Sequence, residues 1–186
     1  MSRAIANVIG LDDAPFERGD PTAPLVGTVY ARDRLDGVLV GAITPDGDDA
    51  TDAVVTLLRS SRFDGHVSAV LLQGIAFGGF NVVDAPSLAS RLERPVIVVA
   101  RKAPNLERMH AALAQVPGSA DKRARLDAAG PMRPMGGVFA QVFGTDDGTA
   151  AATLALHTRH GVLPEPLRVA HLLGAALVLG HSHGGA

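Results

Sequence analysis

Ile9-Gly10-Leu11-Asp12-Asp13-Ala14-Pro15-Phe16 ends the first apolar run of the chain, Ile5 to Leu11, which reads as a strand. The turn after that strand separates two α/β plans. A doubly wound dinucleotide fold needs glycines here, so that backbone can approach a pyrophosphate. This chain has Asp12-Asp13 instead, and two carboxylates repel phosphate unless a cation lies between them. The dinucleotide plan fails at this turn.

Outward from it, Leu25 to Tyr30 and Val38 to Ile43 are two more strand-like runs, separated by polar turns in the pattern of a meander. The period then changes. From Asp49 to Arg59, Ala50, Ala53, Val54, Leu57 and Leu58 fall on one helical face. Val67 to Leu72 and Val96 to Ala100 are fully apolar and suit strands covered on both faces. Helices are expected over Asp84 to Leu92, Pro104 to Val116 and Asp121 to Ala129, then a last strand over Gly137 to Phe143. Thr149 to His160 and Glu165 to Leu179 read as closing helices, the second opened by Pro164 and Pro166. Three strands followed by alternation predict a mixed sheet, an antiparallel meander joined to parallel crossovers and flanked by helices. That is the plan of an α/β, ribonuclease H-like domain.

Composition narrows the function. With 186 residues, 47% of them hydrophobic, the chain is expected to form one domain over 1–186. The absence of Cys excludes a disulfide scaffold, a thiolate zinc site and a cysteine nucleophile. Aromatics at 4% disfavour a base-stacking platform, and a net charge of -2 disfavours a broad basic groove. No apolar run could span a bilayer, and Met1-Ser2-Arg3 leads straight into a strand-like segment, so a cytoplasmic protein is expected. Only Lys102 and Lys122 are lysine among 17 basic residues. Where arginine is so preferred, a retained lysine suggests a compact charge with a task, and Lys102 stands at a strand exit.

Several groups could carry chemistry. Adjacent strand residues point to opposite faces, so one of Asp12 and Asp13 is expected to face a site, and Asp12 can hold a hard cation at the sheet edge. Asp46-Gly47-Asp48-Asp49-Ala50-Thr51-Asp52 places more carboxylates at a helix start than capping needs, without the glutamate that a calcium-sensing loop requires. Glycines between Gly74 and Asp84 allow close approach of another backbone, and Gly78, Gly79 and Asn81 are expected to bind substrate. Arg168 and His171 share a helix face, and Arg168 joins the substrate-binding set. The tail His181-Ser182-His183 has weak metal-binding character.

Ile9-Gly10-Leu11-Asp12-Asp13, Asp46-Gly47-Asp48-Asp49-Ala50-Thr51, the Gly74 to Asp84 run, Arg101-Lys102-Ala103-Pro104 and Pro164-Glu165-Pro166-Leu167-Arg168-Val169-Ala170-His171 together resemble the archaeal endonuclease dU family, a distant relative of endonuclease V. The resemblance implies Mg²⁺- or Mn²⁺-dependent phosphodiester hydrolysis near a damaged base. Asp12 matches the first-strand metal-binding aspartate of endonuclease V. Asp49, or else Asp46, falls where that family has a glutamate. Lys102 and His171 match its lysine and its closing histidine, and are expected to be catalytic. Gln73 stands where endonuclease V has a metal-binding aspartate; an amide oxygen coordinates but brings no charge. No counterpart of the DNA-inserting wedge is evident. The expected function is therefore a metal-dependent endodeoxyribonuclease acting in DNA repair on deaminated bases, with lesion-bearing DNA as partner. The alternatives are a non-catalytic nucleic-acid-binding or regulatory protein, and a small-molecule nucleotide phosphohydrolase.

Overall fold

The computed structural model describes residues 2–182. The strands are β1 (Asn7–Asp13), β2 (Ala23–Ala31), β3 (Arg34–Ile43), β4 (Ala69–Gln73), β5 (Ala76–Phe77), β6 (Asn81–Val82), β7 (Val96–Ala100), β8 (Arg133–Met135) and β9 (Val138–Phe143). The helices are α1 (Ala50–Arg59), α2 (Ala85–Leu92), α3 (Leu106–Leu113), α4 (Ser119–Ala129), α5 (Asp147–His157) and α6 (Glu165–Leu179). Seven strands form one mixed sheet in the order β3-β2-β1-β4-β7-β9-β8, and β5 and β6 pair in a small hairpin.

The meander and the crossovers are as the sequence predicts: β1, β2 and β3 pair antiparallel, while β1, β4 and β7 run parallel. Four features differ from expectation. The run after Gly74 contains the β5–β6 hairpin, and β8 pairs with β9 ahead of the last expected strand. Helix α3 ends at Leu113, short of Val116. Helix α5 closes at His157, not His160, and starts earlier because Asp146 caps it by accepting the Thr149 N–H.

Alternation along β1 divides the core. Ile9 and Leu11 point into a cluster with Val54, Leu58, Phe77 and Leu88, under α1 and α2. Val8 points the other way, into a cluster with Leu71, Ile97, Leu154 and Leu167, under α5 and α6. Because β1, β4 and β7 are parallel, their carboxyl ends share one edge of the sheet, and β3, twice reversed from β1, ends there too.

Helix α6 lies close against β1. A Cβ on Gly10 would come within 2.5 Å of the Pro166 carbonyl carbon and 2.8 Å of the Leu167 nitrogen. The buried Thr28 hydroxyl also donates to the Pro166 carbonyl at 2.6 Å. Gly10→Ala should therefore cost about 1–3 kcal/mol or more, because backbone cannot yield as a side chain can. It should also push α6, and His171 with it, away from β1. Urea unfolding checks this; parent-like stability would mean that β1 and α6 are not held so closely. Among the described residues no helix is long and apolar enough to cross a membrane.

Candidate functional site: an acidic cleft at the carboxyl edge

Asp12, Asp13, Ala14, Pro15, Phe16, Gln73 and His171 line an open cleft of about 420 Å³ at the carboxyl ends of β1 and β4. Asp12 is only 5% exposed, and its Oδ2 lies 2.9 Å from His171 Nδ1 on α6. Its Oδ1 accepts the Asp13 N–H at 3.1 Å. Asp13 turns to the opposite face, as alternation requires, and its Oδ2 accepts the Gly78 N–H at 3.0 Å. Both carboxylates still border the same cleft, because the strand ends at this edge and leaves both faces open to it. Of the two adjacent acids the sequence assigns only Asp12 to a site; their adjacency at a strand end is the available signal for Asp13.

The electrostatics are strained. Burial, and next the charge of Asp13, push the Asp12 carboxyl up to about 8, against the pull of the Asp13 N–H. Burial also raises Asp13, against the Gly78 N–H and the His171 charge. Gln73, the last residue of β4, holds a buried Oε1 that has no hydrogen-bond partner among the described residues. Two desolvated carboxylates, an orphaned amide oxygen and an imidazole meet in one place.

The endonuclease dU family model matches residues 4–178. The chain belongs to the endonuclease dU family. A UPF0215 protein of Deinococcus radiodurans is 41% identical over 184 residues, 97% of this chain and 93% of the other. One from Methanothermobacter thermautotrophicus is 38% identical over 187 residues, 96% and 91%. A crystal structure of a protein of unknown function from Archaeoglobus fulgidus matches with TM-score 0.87 and 30% identity, over 92% of this chain and 98% of that one. Endonuclease V from Bacillus subtilis matches with TM-score 0.59 at 14% identity, over 91% and 80%. Endonuclease V from Ciona intestinalis, in complex with DNA containing an inosine followed by a ribo-adenosine, matches with TM-score 0.56 at 15% identity, over 89% and 82%. At such identities the last two show the fold, a mixed sheet flanked by helices as in endonuclease V.

The remaining expected site residues of this endonuclease dU family member take other places. Asp49 is outside the cleft lining. Its oxygens accept the Thr44 N–H, the Thr44 hydroxyl at 2.8 Å and the Asn81 amide at 2.5 Å. Burial raises its carboxyl, but those donors outweigh it and hold Asp49 below the usual carboxylate range. Asn81, expected at substrate, is fully buried and also ties Ala50 N and the Thr44 carbonyl together. Asp46 caps the same turn: its N–H donates to the Gly78 carbonyl and its Oδ1 accepts the Phe80 N–H. Gly78 and Gly79 have φ of 51° and 85°, and a Cβ on Gly79 would strike Asp46 Oδ1. The acidic turn thus reaches the cleft only through Gly78, which bonds Asp13 on one side and Asp46 on the other. Lys102 is exposed at the same edge beyond β7, and makes no hydrogen bond or ion pair with the described residues. Arg168 lines a neighbouring pocket. His183 lies outside the described residues.

Proposed function

We propose that this protein is a divalent-cation-dependent endonuclease on a ribonuclease H-like fold, cutting a phosphodiester beside a deaminated base in DNA during repair. The family and the fold favour a nuclease. The observation that carries the rest is the convergence of Asp12, Asp13, His171 and the orphaned Gln73 Oε1 in one cleft. A small hard cation needs only one or two carboxylates, taking its other oxygens from water and substrate phosphate. Asp12, Asp13 and Gln73 fit that requirement and would hold Mg²⁺ or Mn²⁺. When bound, such an ion activates water and offsets charge on the scissile phosphate.

The chain's own groups do the rest. Asp12 orients the imidazole of His171, which exchanges a proton with the attacking or leaving oxygen at the mouth of the cleft. Lys102, free at the same edge, stabilises charge developing on the phosphate. Asp46 and Asp49 act one step back, by holding the turn that carries Gly78 to Asp13. One observation favours a second reading, a nucleic-acid-binding protein without catalysis. Among the described residues no three His, Asp or Glu side chains form a ready cation cage.

Gln73→Asp separates the two. It places a full charge where the neutral oxygen now stands, worth roughly a few kcal/mol toward a cation at an effective dielectric near 20. Mg²⁺ should bind at least about tenfold tighter by calorimetry, and cleavage of uracil- or hypoxanthine-bearing DNA should rise. Stability without metal should fall, because the cleft is already acidic. Equal affinities in the two proteins would remove Gln73 from the site, and absence of cleavage by both, with either cation, would leave the binding protein.

A further inference from the structure

A second pocket opens beside the acidic cleft. It measures about 230 Å³ and its polar lining is Arg101, His160 and Arg168. Its position follows from the fold. Arg101 directly follows β7, the second parallel strand over from β1, so the strand spacing sets it roughly 10 Å along the edge from Asp12. His160 lies in the connection between α5 and α6. Arg168 and Leu172 line this pocket while His171 lines the cleft, and positions three and four apart share a face of α6. The two concavities are therefore neighbours on one helix.

Their charges are opposite. Arg101 is exposed and makes no hydrogen bond or ion pair with the described residues. Arg168 spends Nε and Nη2 on Glu165, at 3.0 Å and 2.7 Å, which fixes the guanidinium and leaves Nη1 over. His160 adds a ring N–H donor. A guanidinium fork with free donors is built for the oxygens of a phosphate.

We propose that Arg101, His160 and Arg168 form an anion site that takes a phosphate group, namely a backbone phosphate flanking the one cut in the cleft. The inference rests on reading the cleft as a phosphodiester-cutting site. It explains how an acidic protein of net charge -2 can hold a polyanion: the positive charge is local, at the edge where the strand must lie.

Binding in EDTA tests the pocket apart from cleavage. Fluorescence anisotropy with a short single-stranded oligodeoxynucleotide should show Arg101→Gln binding several-fold more weakly than the parent. Its slope of log affinity against log salt should be shallower by about 0.7, the loss of one phosphate contact. Arg101→Gln/His160→Gln should be weaker still. Arg3→Gln removes the same charge from a pocket at the opposite edge of the sheet and should bind like the parent. Competition by a nucleoside monophosphate at matched affinity would support the same phosphate site filled by a free nucleotide; oligonucleotide binding that the monophosphate fails to displace would support a polymer backbone. Unchanged affinity and salt slope in Arg101→Gln and in the double variant would overturn the site, even if the parent cleaves DNA with Mg²⁺. Arg101-dependent binding by a parent that never cleaves would keep the site and overturn the nuclease.

Discussion

Asp12→Asn should abolish cation-dependent cleavage, a loss of roughly 10³-fold or more, while making the metal-free protein more stable at pH 8 and above. The first effect follows from removing the charge of the carboxylate that both faces the cleft and holds His171. Stabilisation of transition-state charge by a bound cation is worth several kcal/mol, and each 1.4 kcal/mol is about tenfold in rate. The second effect follows from linkage. Asp12 titrates near 3.8 unfolded and about 8 in the fold. Between those values the native state keeps a proton that the unfolded chain has released. Stability from this group is therefore complete below about pH 4 and is lost as pH rises through 8, on the order of 5 kcal/mol across that window. Asparagine has no such slope, and its amide oxygen can still accept the Asp13 N–H. Urea unfolding in EDTA at pH 5 and pH 9 reads the difference. A variant that cleaves like the parent removes Asp12 from the mechanism, and parallel pH profiles refute the buried carboxyl.

Lys122→Ala in α4 should cost about 3–5 kcal/mol of stability. Lys122 is fully buried, and its Nζ lies 2.5 Å from the Asp46 carbonyl and 3.9 Å from Asp48 Oδ1. Asp46 has φ of 52°, in the left-handed region that a non-glycine residue occupies only when its surroundings hold it there. The Lys122 donor is part of that hold. Lys122→Met keeps most of the buried length but not the donor, and should recover the packing share, leaving about 1.5–3 kcal/mol lost. The damage should reach the cleft, because Asp46 bonds Gly78 and Gly78 bonds Asp13. Chemical denaturation of both variants checks the stabilities. If both lie within about 0.5 kcal/mol of the parent, Lys122 does not brace the turn.

The lysine count in the sequence marked two positions, and the structure shows two different uses. Lys102 is the exposed one at the edge, and Lys122 is the brace; residue type alone does not tell a solvated charge from one pulled inward by a carbonyl in a distant turn. Continuous apolar runs are enough to find β1, β4 and β7, which the sheet buries on both faces, and the helical spacing of apolar residues is enough to find α1. The β5–β6 hairpin and β8 were not legible, since two or three residues carry no period. The apolar run that ends at Asp12 and the helix that carries His171 are legible locally, but their meeting is not: the fold joins the two side chains across 159 residues at 2.9 Å. Asp49, at a helix start, suits both capping and coordination, and Asn81, in a glycine-rich run, suits substrate binding as well as a structural tie. Only the coordinates show that Thr44 and Ala50 already occupy them.

The proposed nuclease requires one divalent cation in the cleft between β1, β4 and α6. Crystals of the parent soaked in Mn²⁺ and measured for anomalous scattering test it most directly. A single strong peak within ligating distance of Asp12, with Gln73 Oε1 or Asp13 beside it, and its loss in Asp12→Asn, is the predicted result. A peak among Asp46, Asp48 and Asp49 with none at Asp12, or no peak at saturating Mn²⁺, would contradict it.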